Sequence, residues 1–203
     1  MSTLHDRSEL LTILYSDEGV ALWDAVLYNS DPNHARSRWR WSSEFRRLLG
    51  FETVEEFPDV FSSWVDALYP EDAEGTFRAV GVAVKSAAPV ARYDVKYRLQ
   101  NKDGQYRWYR AIGVVTHDVN GAAVRACGTL IDIDEAEKVL ADQSRAKAIE
   151  QTRLSEIEKQ LRLISINAQI EAARMGGAGA AFAVVAKEIT SLAAAIGKSI
   201  VDV

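Results

Sequence analysis

Cysteine occurs once in the 203 residues, at Cys127, which excludes an internal disulfide framework and a metal centre built from cysteines. Histidine occurs three times, at positions 5, 34 and 117. None of the three lies in 134–203, so that helical stretch holds no phosphoacceptor of the histidine-kinase kind. There is no glycine-rich loop followed by a lysine to cradle a nucleotide, and no acid, base and nucleophile in a recognisable spacing. The expectation is a protein that is not an enzyme. Positive charge is also short. Lysine and arginine number 24 against 29 aspartates and glutamates, a net charge of −5, which argues against a general nucleic-acid binder. No stretch holds ~18 uninterrupted apolar residues, and the opening MSTLHDRSELL has no apolar core of signal-peptide length. These absences predict a cytoplasmic protein with no membrane span.

What is present is globular in texture, with 48% hydrophobic and 26% charged residues. Residues 6–15 read as a short amphipathic helix, the core of an N-terminal cap over 1–18. VALWDAVLY and SRWRWS read as strands, and SEFRRLLG as a short helix capped by Ser42 or Ser43 and ended by Gly50. Residues 57–87 hold two helices, the second starting at Pro70 with Glu71 and Asp72 in its first turn. ARYDVKYRLQ alternates strictly, with Tyr93, Val95, Tyr97 and Leu99 on one face. Lys102-Asp103-Gly104 and Asn120-Gly121 then turn the chain into two further strands. The order predicts an α+β domain over 19–134, a five-stranded antiparallel sheet with helices on one face.

The stretches WSSEFRRLLGF, YPEDAEGTFRAV and NKDGQYRWYRAIGVVTHDVNGAAVRACGTLIDID, in that order and spacing, resemble a PAS domain. The resemblance implies a sensor whose cavity lies between sheet and helices. Amphipathic position makes Trp64, Val80 and Val84 its lining residues, facing the strand face of Tyr93, Val95 and Tyr97. Asp132, Ile133 and Asp134 are similar to the family's exit motif, where the last strand runs into a signalling helix.

From Glu135 to Met175 neither glycine nor proline occurs, so 135–203 reads as a linker helix running into a helical hairpin or coiled coil. An apolar seam of Leu154, Ile157, Leu161, Ile164 and Ala168 breaks at Gly176, Gly177 and Gly179. It resumes as Phe182, Val185, Ile189, Leu192, Ile196, Ser199 and Val203. The glycines permit a reversal and the alanines a close approach. INAQIEAARMGGAGAAFAVVAKEITSLA, with its surroundings over 157–196, resembles the membrane-distal tip of methyl-accepting chemotaxis proteins. That resemblance implies contact with the chemotaxis histidine kinase and its coupling protein through Asn167, Glu171, Arg174 and Val184. It also implies self-association, and the seam residues Leu161, Ile164, Ile189, Leu192 and Ile196 suit a homodimer. The stretch departs from the family pattern at Lys159, Gly177, Ala180 and Thr190.

The expectation is a chemoreceptor-like signal transducer. A PAS domain senses a small ligand or redox state and relays it through 132–134 to the docking hairpin. Two rivals stand beside it: a stand-alone dimerising regulator that never meets the kinase, and a haem or flavin redox or gas sensor. No ligand motif marks either cofactor, and no metal site is expected. None of the histidines falls in the helix of 71–87, and Cys127 is on the last strand rather than in the flavin photosensors' short-helix motif. Five tryptophans, Trp23, Trp39, Trp41, Trp64 and Trp108, read first as core packing.

Overall fold

The computed structural model describes residues 20–201, with side chains through Lys198. The expected N-terminal cap over 1–18, His5, and the seam positions Ser199 and Val203 lie outside what is described. The chain forms two compact units, Met1–Glu137 and Lys138–Val203.

The first unit is the expected α+β arrangement. Strands β1 (Ala21–Val26), β2 (Arg38–Trp41), β3 (Val90–Gln100), β4 (Tyr106–His117) and β5 (Ala123–Asp132) form one antiparallel sheet in the order β2-β1-β5-β4-β3. Helices α1 (Ser43–Leu48), α2 (Phe61–Ala67) and α3 (Pro70–Val84) lie between β2 and β3 in sequence. Alternation decides which face is covered: Ala21, Trp23 and Ala25 of β1 are buried, as are Tyr109, Ala111 and Val115 of β4. The β4–β5 turn uses Gly121 at φ +80°, a backbone value that costs glycine least.

Polar side chains fasten the helices to the sheet. Ser42 caps α1, its Oγ accepting the Phe45 N–H at 3.1 Å while also accepting the Leu22 N–H of β1 at 2.9 Å. Arg46 is 4% exposed and donates to the carbonyls of Phe57 (3.0 Å) and Trp41 (2.6 Å) and to Asp59 Oδ1 (2.6 Å). At the start of α3, Asp72 accepts a forked pair of bonds from Arg98 at 2.7 and 2.9 Å. That guanidinium holds the Asp72 carboxyl below the usual carboxylate range.

The second unit takes up most of α4 (Asp134–Arg174), a 3₁₀ turn (Gly176–Gly179) and α5 (Ala180–Val201). Gly176 takes φ +55° at the reversal. The two helices meet through their smallest residues: Ser165, Ala172, Gly179, Ala186 and Ala193 are buried. A methyl at Gly179 would sit 2.1 Å from the Ala172 carbonyl oxygen, which measures how closely the backbones approach. Ser165 Oγ donates to the Ala186 carbonyl at 2.9 Å, pinning the register of the pair. The large apolar residues turn outward. Ile164 is 53% exposed and Leu192 55%, while Leu161, Ile189 and Ile196 are half-buried. The heptad seam is therefore not the line along which the two helices of one chain touch. Packing at alanine and glycine draws the backbones together and leaves the longer side chains at the margins and the outer face.

Candidate functional site

The covered face of the first unit encloses a cavity of about 380 Å³. Its floor is one rung of the sheet. Trp41 pairs with Trp23, Trp23 with Gly128, Gly128 with Gly113, and Gly113 with Tyr93, across all five strands. The two central strands thus carry glycine side by side, and the flanking rings lie over them. A methyl on Gly113 would come 2.2 Å from Tyr93 Cζ, and one on Gly128 2.7 Å from Trp23 Cζ2. The Trp23 and Tyr93 rings stack at 6.2 Å and 23°. Trp39 continues the stack, 6.1 Å from Trp23 and 5.3 Å from Trp41. The roof is Phe45 of α1, Phe61 and Trp64 of α2, and Phe77, Val80, Gly81 and Val84 of α3, with Lys85 just past its end.

Few polar atoms reach this space. Trp64 Nε1–H donates to Tyr97 Oη at 3.2 Å, and burial raises the pKa of both Tyr93 and Tyr97, so both phenols stay neutral hydrogen-bond donors. Trp41 is 3% exposed, and its indole N–H is buried with no acceptor among the described residues. Ser30 Oγ accepts the Ala123 N–H at 2.8 Å. Lys85 is the single charged residue of the lining.

Of the residues expected at the cavity, Trp64, Val80, Val84, Tyr93 and Tyr97 line it. Val95 does not. It shares a strand face with Tyr93 and Tyr97 but lies beside Asp72, Gly75 and Thr76, where the first half of α3 meets the sheet. Trp23, Trp39 and Trp41, read first as core packing, form floor and wall. Their alternation on β1 and β2 was visible, but the paired glycines that lay the rings flat become evident only from the register. Neither His34 nor His117 lines the cavity. The His34 ring packs on Tyr28, and His117 Nε2 lies 3.0 Å from the Val84 carbonyl oxygen. Cys127 is half-buried outside the cavity, and burial pushes its thiol pKa up. The described residues therefore fit neither an imidazole-ligated haem nor a cysteine-linked flavin.

The exit from the sheet is clamped. The Asp134 N–H donates to Asp132 Oδ1 at 2.9 Å, and Asp134 Oδ1 accepts the Trp108 N–H at 3.1 Å. Arg107 lies 3.1 Å from Asp132 and 3.6 Å from Asp134. The Ile133 N–H donates to the Trp108 carbonyl at 3.0 Å. Both carboxylates are thus tied to β4 where α4 begins.

In the second unit Asn167, Glu171, Arg174 and Val184 are all exposed, and Glu171 pairs with Arg174 at 2.8 Å. Gly176, Gly177 and Gly179 form the tip. Thr190, where the resemblance carries an arginine, donates instead to the Ala186 carbonyl at 3.0 Å. Gly176–Lys198 is long and apolar enough to cross a membrane by length and composition, although no uninterrupted apolar run of that length exists. Lys187 and Glu188 interrupt the run without raising the charge enough to fail that test.

Five antiparallel strands with helices over one face and a cavity between define a sensor fold of the PAS class. Residues 38–130 match the PAS fold family, and residues 117–202 match the methyl-accepting chemotaxis protein (MCP) signalling domain. The chain thus carries a match to the PAS fold followed by a match to a chemoreceptor-type signalling segment. It is 35% identical over 96 residues to methyl-accepting chemotaxis protein McpC of Bacillus subtilis, covering 46% of this chain and 14% of that protein. An uncharacterized protein of Sinorhizobium fredii is 28% identical over 87 residues, 43% of this chain and 10% of the other. The chain thus spans a tenth to a seventh of the length of these relatives. Among solved structures, a sensory box histidine kinase/response regulator from Burkholderia thailandensis aligns with a TM-score of 0.53 at 22% identity. The alignment covers 72% of this chain and 98% of that one. An RNA-binding light-oxygen-voltage receptor aligns with a TM-score of 0.55 at 16% identity over 72% of this chain and 38% of the other. Both likenesses concern the fold.

Proposed function

We propose that the protein is a cytoplasmic chemoreceptor-like signal transducer. Its PAS cavity binds a small ligand, and the signal passes through Asp132–Asp134 into α4 and on to a hairpin that docks the chemotaxis histidine kinase and its coupling protein. The observation that carries this reading is the match of 117–202 to the chemoreceptor signalling domain on a hairpin that leaves Asn167, Glu171, Arg174 and Val184 open to a partner. A homodimer belongs to the same reading. Residues 141–150 are exposed throughout, and Ile149, Ile164 and Leu192 are more than half exposed, a stripe that a second hairpin in a four-helix bundle would cover. Bundle packing also accounts for the apolarity of Gly176–Lys198 without a membrane. Lys187 and Glu188 fall in the middle of that stretch, where lipid would penalise both charges.

The test is co-precipitation of the full chain with a reconstituted kinase–coupling-protein complex. Wild type is expected to be retained, and Val184→Asp to lose retention while keeping its helical circular dichroism. No retention of the wild type would favour the stand-alone dimerising regulator. That second reading draws support from Thr190, which is bonded within the hairpin where an outward arginine would stand.

A further inference from the structure

Every side-chain polar group that lines the cavity can donate a hydrogen bond, and none is a carboxylate or a carboxamide. Tyr97 Oη already accepts from Trp64 and Ser30 Oγ from Ala123, leaving their hydroxyl protons to give. Trp41 adds a buried N–H with no acceptor among the described residues, and Lys85 adds a positive charge. Such donors match an acceptor-rich or anionic ligand, and Lys85 opposes a cation against the pull of the ring faces. The remaining surface is aromatic. The Trp23–Tyr93 floor is held flat by Gly113 and Gly128, so it presents a plane to a flat ring. About 380 Å³ corresponds to roughly a dozen water-sized groups. That is space for one or two fused rings with a small substituent.

We propose that the cavity takes a planar aromatic carboxylate, its ring laid on the Trp23–Tyr93 floor and its anionic group paired with Lys85. This deepens the sensor reading and rests on it. The stacked rings select for shape, and the donors with Lys85 select for the charge of the substituent.

Calorimetric titration of the full chain with 2-naphthoate, 2-naphthamide and 2-naphthyltrimethylammonium tests it. The acid is expected to bind tightest, about two- to fivefold better than the amide, the range of an exposed charge pair, and the ammonium weakest. Lys85→Gln should bring acid and amide level while leaving the amide unchanged. Gly81→Phe should abolish binding of all three. Gly81 lines the cavity and a Cβ there meets nothing within 4 Å, so a ring can be accommodated at this position without disturbing α3. The inference is overturned if the ammonium binds best, if acid and amide bind equally to wild type, if Gly81→Phe leaves naphthoate affinity intact, or if no probe binds. A separate readout isolates the sensor reading: the distance between spin labels at position 150 of the two chains with naphthoate saturating. Binding in the expected order with a fixed distance upholds the ligand class and removes the relay. A distance that responds to the ammonium and not to naphthoate removes the ligand class and keeps the relay.

Discussion

Gly113 and Gly128 are neighbours on one sheet rung, yet a methyl group would meet very different obstacles at the two positions. At Gly113 the first atoms met belong to the Tyr93 ring, a side chain that can swing. At Gly128 the nearest is the Ile112 carbonyl oxygen at 2.2 Å, part of the ladder itself. Gly113→Ala should therefore cost about 1 kcal/mol and shrink the cavity by lifting Tyr93. Gly128→Ala should cost about 3 kcal/mol, the upper range for overpacking, by forcing β4 and β5 apart. Urea denaturation of the two variants checks the ranking, and equal losses would contradict it. At this scale the sequence was legible in part. The alternation of Tyr93 and Tyr97 pointed them inward, and Trp64, Val80 and Val84 could be placed by helical position. Val95 could not, because strand alternation tells a residue's face and not which turn of α3 lies above it.

Among the elements, the hairpin separates two jobs that a heptad pattern merges. Its internal contact runs through Ser165, Ala172, Gly179, Ala186 and Ala193, and its open stripe through Ile164 and Leu192. Adjacent substitutions should then have opposite effects. Leu192→Asp should keep the hairpin folded and shift the protein towards monomer in sedimentation velocity, because in the proposed dimer the charge would be buried between chains. Ala193→Leu forces the two helices of one chain apart and lowers the melting temperature of the helical signal. If Ala193→Leu melts like wild type, close packing is not what holds the hairpin. The glycine break and the turn were readable from composition, since Gly176–Gly179 sits between two long uninterrupted helical stretches. Which apolar residues faced inward was not. Heptad spacing identifies a stripe but is silent on whether that stripe meets its own chain or another.

For the whole molecule, the decisive feature is that α4 carries no glycine or proline from Asp134 to Arg174, while its first residue is bonded to β4. In the proposed relay a displacement of the last strands acts on α4 through this clamp. Inserting two glycines after Asp134 should leave the sheet and the hairpin each folded, at about 1 kcal/mol of helix propensity per glycine. It should also make the label distance at position 150 insensitive to cavity ligands. A distance that still responds would mean the signal travels by another route. The exit was legible because Asp132-Ile133-Asp134 resembles the PAS exit motif, in which the last strand runs into a helix. The clamp by Arg107 and the Trp108 backbone was not, since it depends on β4 lying beside β5.

Trp41, Trp39, Trp23 and Tyr93 form a continuous row of rings, with neighbouring centroids 5.3 to 6.2 Å apart and planes within 28° of one another. Chromophores so close and so nearly parallel share their excited states. Their near-ultraviolet circular dichroism therefore belongs to the row as a whole, and its sign and amplitude depend on the angles between members. A molecule entering the cavity alters those angles or inserts its own transition among them. The protein thus carries an intrinsic optical gauge of cavity occupancy, set in the floor of the space it reports on.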